Sequence, residues 1–461
     1  VTMKSGKPFL DLRREKARLF LMFCGVVGSG ELGSPAYAQL ITQSFPSELP
    51  GYSADSTGIV SLREVLRQPH AGINVGSFIF HPSVSQKVGY NGSILGASHT
   101  GGLELDSMAG LGLNSNWSRH SFGVSASVKN TAYPINNKYY PSLSEAGYTD
   151  WNVAAGGGLN LGHDTLSAGY SHAVKHLSAT QLGNFGVGYP VPYAVDDARL
   201  SYRKNWTRIA LIPSVAYDDF SFGEAAGSIP TAGRNTHSLS HQLETQMLQL
   251  RYEISKGNAL LGIIRTSEAQ FVSVSDGHPA DYISGGGFVG LDLRADAVWQ
   301  YRALIGAETR HFVRGGGRTL TTPTAELEVI WMPDKLDTFT LTGQRGLFDP
   351  TSAFSRNQIV STVQLEEERE LLRDVFFSGQ VGFARTDSFG ASAGSAGHQQ
   401  VQFRGGAGVD WQFNRDFKLT LKYMYTKSKS KLTGSEEGNE TGIGSGTYTN
   451  QTVSLGVAFT R

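Results

Sequence analysis

Phe417-Lys418-Leu419-Thr420-Leu421-Lys422-Tyr423-Met424-Tyr425-Thr426 carries an apolar or aromatic side chain at every odd position, with Lys418, Thr420, Lys422 and Thr426 between them. A period of two marks a β-strand with two unlike faces. The charged face is too polar for a packed soluble core, so it must meet water and the other face must meet lipid or protein. The last segment repeats the pattern, with Val453, Leu455, Val457 and Phe459 on one side and Thr452, Ser454, Gly456 and Ala458 on the other. Residues 401–413 split in the same way (Phe403, Val409 and Trp411 against Gln402, Arg404 and Asp410), as do 299–305 (Trp299, Tyr301 and Ile305 against Gln300 and Arg302). Working outward to about Phe80 yields roughly eighteen such segments. Residues 80–90, 103–113 and 258–267 alternate less cleanly, which leaves about sixteen as the alternative count.

The joints between segments are alternately tight and long. Tight ones fall at residues 115–117, 162–164, 205–206, 256–258, 295–297, 333–335 and 414–416, while Gly/Ser/Pro-rich stretches occupy 131–149, 174–194, 220–240 and 428–446. Short turns at one end and long loops at the other define an up-and-down antiparallel barrel that crosses a membrane. Apolar residues make up 39% of the chain and mean hydropathy is −0.21. No stretch is apolar for long enough to span a bilayer as a helix, and barrel strands hide in such averages because only alternate residues face lipid. Lys+Arg and Asp+Glu each total 40, a balance that argues against nucleic acid as a partner.

The N-terminus reads as a secretory leader. Lys4, Lys7, Arg13, Arg14, Lys16 and Arg18 precede the apolar run 19–27, and Ala36-Tyr37-Ala38 supplies an A-x-A site with cleavage between Ala38 and Gln39. The expected organisation is a signal peptide at 1–38, a polar periplasmic segment at 39–78 and a barrel at 79–461. Cys24, the only cysteine, lies in the leader, so a mature chain would hold no disulfide, no cysteine-based metal site and no cysteine nucleophile. The general secretory route, which delivers an unfolded chain, suits a barrel bound for the bacterial outer membrane.

An even strand number puts both ends of a barrel on one side, which makes the tight turns periplasmic and the long loops extracellular. Tryptophan is an independent check, because it prefers the two interfaces of a bilayer. Trp117, Trp206, Trp299, Trp331 and Trp411 all lie beside a tight turn and form an expected periplasmic aromatic girdle, whereas Trp151 sits at a long-loop end.

The junction Arg67-Gln68-Pro69-His70-Ala71-Gly72-Ile73-Asn74-Val75-Gly76-Ser77-Phe78-Ile79-Phe80-His81-Pro82-Ser83 resembles the lead-in of a family of bacterial outer-membrane proteins, the β-barrel porin type 2 family. The ending is also similar, with Asn414-Arg415-Asp416 before a Leu-x-Leu-x-Tyr-x-Tyr strand and then Tyr448, Asn450, Val453 and Leu455. The resemblance implies a porin-like barrel, and polysaccharide passage, since some members lie beside exopolysaccharide export loci. It carries no catalytic residues. The final strand is similar to the signal read by the barrel-assembly machinery at Ser454, Gly456 and Phe459, with Arg461 where a terminal aromatic is usual. That machinery, outer-membrane lipid, and exopolysaccharide or its export proteins are the expected partners, and no cofactor is expected.

By strand parity the expected lumen-lining charges are Lys129, Arg199, Arg203, Arg251, Arg302, Glu308, Glu326, Glu328, Arg404, Asp410, Lys418 and Lys422, joined by Glu253, Asp292 and Glu366. Opposed rings of charge would set a transverse field and select solutes by charge, whereas pairing across strands would only keep the lumen wet. With both signs plentiful, no ion preference follows. Among enzymes the competitor is a barrel hydrolase with a Ser/His pair on its outer surface, for which His172 beside Tyr170 and Ser171 is the best position, although no G-x-S-x-G accompanies it. His237 and His241 lie in a long loop without carboxylates, and Asp276-Gly277-His278-Pro279-Ala280-Asp281 reads as a polar turn before it reads as a calcium loop. The expectation is a non-enzymatic, passive outer-membrane channel for hydrophilic solutes or exopolysaccharide. The alternative is a non-conducting barrel that anchors a surface or export complex.

Overall fold

The computed structural model describes residues 72–461 apart from 98, 137–138, 140–142, 179, 182–188, 225–235, 273–279, 295, 297, 314–318, 352–354, 390–396 and 434–445. The expected leader, its Ala38–Gln39 cleavage point and most of the 39–78 segment lie outside the described residues, as do positions 276–279 of the polar turn.

Among the described residues nineteen strands are formed. The first half comprises β1 (Ile73–Val75), β2 (Phe78–Asn91), β3 (Gly102–Ser115), β4 (Ser121–Ala132), β5 (Tyr148–Asn160), β6 (Thr165–Leu177), β7 (Val191–Asn205), β8 (Ile209–Phe222), β9 (His241–Ser255) and β10 (Asn258–Phe271). The second comprises β11 (Tyr282–Arg294), β12 (Trp299–Phe312), β13 (Thr319–Trp331), β14 (Asp337–Phe348), β15 (Asn357–Leu372), β16 (Val375–Phe389), β17 (Gly397–Trp411), β18 (Phe417–Thr433) and β19 (Gly446–Thr460). From β2 to β19 each strand pairs antiparallel with its neighbour in sequence, and β19 returns to β2 through Thr460↔Ser83 to Thr452↔Asn91. The ring is thus a closed barrel of eighteen strands, and closure leaves no edge to aggregate. β1 is the extra strand. It pairs only with Phe78–Phe80 of β2, on the stretch of that strand below the end of β19.

Joints at one rim run from two residues (Lys256–Gly257) to five (Met332–Leu336), and those at the other from six to eighteen. Asparagine and aspartate build the short ones: Asn414 Oδ1 accepts from the backbone N–H of Asp416 and Phe417 (both 2.8 Å), and Asp296 and Asp334 do the same for the two strand-opening residues after them. The strands outrun the band expected from sequence. β18, for instance, continues to Thr433 inside a stretch that reads as loop. The Ser/Lys composition of 428–431 hides a strand, because above the lipid band neither face needs to be apolar.

Register assigns the faces. On the outside Val84, Tyr90, Leu248, Ile264, Val289, Ile305, Val363, Phe383, Leu421 and Leu455 are exposed, as lipid-facing residues of a membrane barrel must be. The strands that alternate poorly are β2, β3 and β10, and β10 shows why. Its inward Leu261 and Ile263 pack with Phe288 and Leu304 inside the barrel, so both faces are apolar and the period disappears.

Candidate functional site

The inner face brings the sequence-named charges together. Cross-strand register sets Lys129 on β4, Arg199 and Arg203 on β7, Arg251 on β9, Arg302 and Glu308 on β12, Glu326 and Glu328 on β13, Arg404 and Asp410 on β17, and Lys418 and Lys422 on β18 all facing the interior. Many are neutralised by near neighbours. Lys87 and Lys129 share Asp106 (2.5 and 3.9 Å), Arg251 meets Asp292 (2.5 Å), Arg265 meets Glu308 (2.7 Å), Arg199 meets Asp197 (2.6 Å) and Lys418 meets Asp410 (3.5 Å). Pairs of this kind hold side chains against the wall and cancel most of the transverse field that isolated charges would set. A cavity of about 400 Å³ lies against β7–β14, with Arg199, Arg265, Glu308 and Glu326 beside Met247 and Phe288 on its walls.

The glycines on this face make room for ring packing. A Cβ on Gly306 would stand 2.1 Å from the Gly287 carbonyl oxygen and 2.9 Å from Phe288 Cδ1, so only glycine admits the Phe288 ring at that point.

At the long-loop rim the inner wall is not polar. Val191, Tyr193, Phe220 and Phe222 form one buried apolar cluster with Leu239, and Leu243, Phe271, Tyr282 and Phe312 form another. Leu239 and Ala280, from the connections that lead into β9 and β11, pack with these residues, and burial of each large apolar side chain contributes on the order of 1.5–3 kcal/mol. Ile94, Tyr133, Leu143 and Ala146, from two different loops, pack together, with Leu95 and Tyr189 against them. The Tyr448 hydroxyl of β19 donates to the Thr180 carbonyl oxygen of the β6–β7 connection (2.9 Å) and accepts from Gln402 Nε2 (3.1 Å). The mouth is therefore narrowed by its own loops.

A buried latch in the β14–β15 loop is one that sequence reading missed. Asp349, in the β14–β15 loop, is buried between the Tyr282 hydroxyl, which donates to Oδ1 (2.5 Å), and Arg310 Nη1, which donates to the same oxygen (3.1 Å) and to Asn357 Oδ1 (2.7 Å). Arg310 also lies over the Tyr282 ring (3.7 Å), and His241, stacked between Phe220 and Phe271, places Nε2 3.7 Å from Asp349 Oδ2. Burial alone would push the Asp349 carboxyl up, but the Arg310 guanidinium, His241 and the Tyr282 hydroxyl outweigh it and hold the group well below the usual carboxylate range. The parity that turns Arg302 and Glu308 inward also covers Arg310. Nothing local, however, ties Asp349 to a strand three positions away in the ring.

His172 faces outward, where its Nδ1 meets Asp196 Oδ1 (2.8 Å) and its ring packs on Trp151. Tyr170 donates to the same carboxylate oxygen. Ser171 points to the opposite face and is fully buried, so it does not pair with His172. His241 is taken up by the Asp349 latch and not by His237.

Trp117, Trp206, Trp299, Trp331 and Trp411 all stand at the short-turn rim, each exposed, and Trp299, Trp331 and Phe339 stack in a row across three strands (5.4 and 5.1 Å). In β19 Ser454 and Gly456 face inward, and Phe459 faces outward against Phe417 (5.1 Å).

A closed antiparallel ring with an apolar outer face, an aromatic rim and a charged interior defines a transmembrane β-barrel of the porin-like class. The chain belongs to the Putative beta-barrel porin 2 family, whose sequence profile matches residues 68–446. No curated protein matches it. Among solved structures it is similar to the siderophore receptor PirA from Acinetobacter baumannii, at 9% identity over 83% of this chain and 80% of that one with a TM-score of 0.43. A variant of the ferric enterobactin receptor PfeA from Pseudomonas aeruginosa matches at 8% identity (83% and 80% covered, TM-score 0.44). The FrpB iron transporter from Neisseria meningitidis matches at 7% identity (85% and 82% covered, TM-score 0.44).

Proposed function

We propose that the chain is a channel of the bacterial outer membrane that passes small hydrophilic solutes by diffusion, with its short-turn rim periplasmic and its long-loop rim extracellular. The observation that carries this reading is the inner face of the closed ring, which bears paired charges from β2 to β18 and so can be wetted below the apolar clusters of the long-loop rim. Because those charges are balanced, the channel discriminates by size before charge. Exopolysaccharide passage is a narrower form of the same proposal and is supported by the family resemblance alone. Export by the general secretory route and insertion by the assembly machinery through Ser454, Gly456 and Phe459 belong to this reading.

The inward-folded loops favour a second reading, a non-conducting barrel that anchors a surface or export complex. Conductance of the purified barrel in a planar bilayer separates the two. Stable ion steps that grow in Tyr448→Ala, which lacks the hydroxyl that holds the β6–β7 connection, support the channel. A folded, heat-modifiable barrel that stays silent in both forms supports the anchor.

A further inference from the structure

The outer face of β18 changes character at one row. Reading up from the short-turn rim it presents Phe417, Leu419, Leu421, Tyr423 and Tyr425, and then Lys427, Lys429 and Lys431, all three exposed. Eight residue steps from Phe417 to Tyr425 cover roughly 26 Å of strand, or about 20 Å of membrane depth at a tilt near 40°. With its side chains that length matches the lipid band of a membrane barrel. The lysines therefore begin where the acyl chains end. The change is shared by β19, where Val453 gives way to Gln451, Thr449 and Thr447, whereas β17 stays apolar through Phe403 and Val401, opposite Lys427 and Lys429, and turns polar at Gln399, opposite Lys431.

Alternate residues of a strand are roughly 6.7 Å apart, so the three ammonium groups span on the order of 13 Å along one line. Among the described residues none of the three enters an ion pair, whereas Arg385, an outward cation on β16, is held by Asp387 (2.8 Å). The opposite wall of the ring has the reverse sign. There Asp196 faces Asp219 across β7 and β8, and Glu244 faces Glu268 across β9 and β10, all on the outer surface.

We propose that Lys427, Lys429 and Lys431 form a binding site for the phosphorylated headgroup of an outer-leaflet saccharolipid, whose acyl chains lie against Tyr425, Tyr423 and Leu421. A disaccharide headgroup with a phosphate at each end presents two separated anions to a row of cations. Its chains continue down an apolar face that begins at the next residue, so charge and hydrophobicity match the lipid in the same order. The lysines supply the stronger share, since each basic residue at an anionic surface changes affinity about fivefold and three together about a hundredfold. The inference rests on the outer-membrane orientation proposed above.

The full barrel in detergent is titrated with lipid A carrying both phosphates, and with the same lipid dephosphorylated, in the presence of a chelator so that no divalent ion bridges carboxylates. Bound lipid is counted by native mass spectrometry. Wild type retains the bisphosphorylated lipid and not the dephosphorylated form. The variant Lys427→Gln/Lys429→Gln/Lys431→Gln loses about a hundredfold in affinity, and Glu244→Gln/Glu268→Gln binds as wild type. Heat-modifiable mobility in both variants keeps barrel folding out of the readout. Equal binding by the lysine variant, equal binding of the two lipids, or displacement by inorganic phosphate at millimolar concentration would overturn the site. Orientation has its own arm: Thr447→Cys in intact cells is labelled by a membrane-impermeant maleimide if this rim is outside. Failure to label, with lipid binding intact in vitro, overturns the orientation and with it the outer leaflet as the source.

Discussion

Asp349 concentrates the consequences that one residue has for this molecule. Its carboxylate satisfies Arg310 and Tyr282 at once and ties the β14–β15 loop to the wall of β11 and β12. Removing one partner of a buried ion pair leaves the other charge stranded, at a cost of about 3–5 kcal/mol. Asp349→Asn is accordingly expected to release the loop, seen as faster amide exchange at Arg356 and Asn357 with the barrel intact. Tyr282→Phe removes a hydrogen bond and no charge, and is expected to cost about 1–3 kcal/mol by leaving part of the carboxylate unsatisfied. The pH dependence has a definite sign. Asp349 has a depressed pKa in the folded state, so its contribution is fully present above the unfolded value near ~3.9 and is lost as pH falls below it toward the folded value. Loop protection at Arg356 should therefore survive down to about pH 5 and weaken only below about pH 4. A latch released by mild acid would contradict this assignment.

At the level of the element, a strand here is a two-sided object whose sides tolerate different things. On β18, Leu421 faces outward and Lys422 inward. An arginine at the middle of the lipid face costs about 2–4 kcal/mol, so Leu421→Arg should lower the urea midpoint for unfolding from lipid vesicles, while Lys422→Gln should change it by less than about 1 kcal/mol. The inner face of β12 is constrained by shape. Gly306→Ala must displace the Phe288 ring or the Gly287 carbonyl, an overpacking penalty of about 1–3 kcal/mol measurable in the same assay. These limits differ in how visible they are from sequence. The split of β18 is evident because lipid on one side and water on the other impose unlike chemistry at period two. The inward Leu261 and Ile263 of β10 break that rule, since what they touch is Phe288 and Leu304 from strands not yet placed.

The whole molecule depends on closure, and closure is a property of no single strand. Without residues 446–461, β18 and β2 would both present open edges to lipid, where unsatisfied backbone groups are severely penalised. Such a chain is expected to yield no heat-modifiable species even when refolded in detergent micelles, where the assembly machinery plays no part. A truncated chain that still folds would mean that another pairing seals the ring. What the sequence by itself determined is everything with a short range: the strands and their two faces, the sorting of turns and loops, the inward charges such as Arg302 and Lys418, the tryptophan rim and the family resemblance at 67–83. Each rests on alternation or on a turn made by adjacent residues. Only the tertiary structure decided the strand count, the pairing of inward charges, the apolar inner wall at the loop end and the latch of Asp349 on Arg310. Those contacts join residues brought together by the circumference of the ring, and the separation along the chain of partners such as Thr180 and Tyr448 leaves no periodic trace in the residues between.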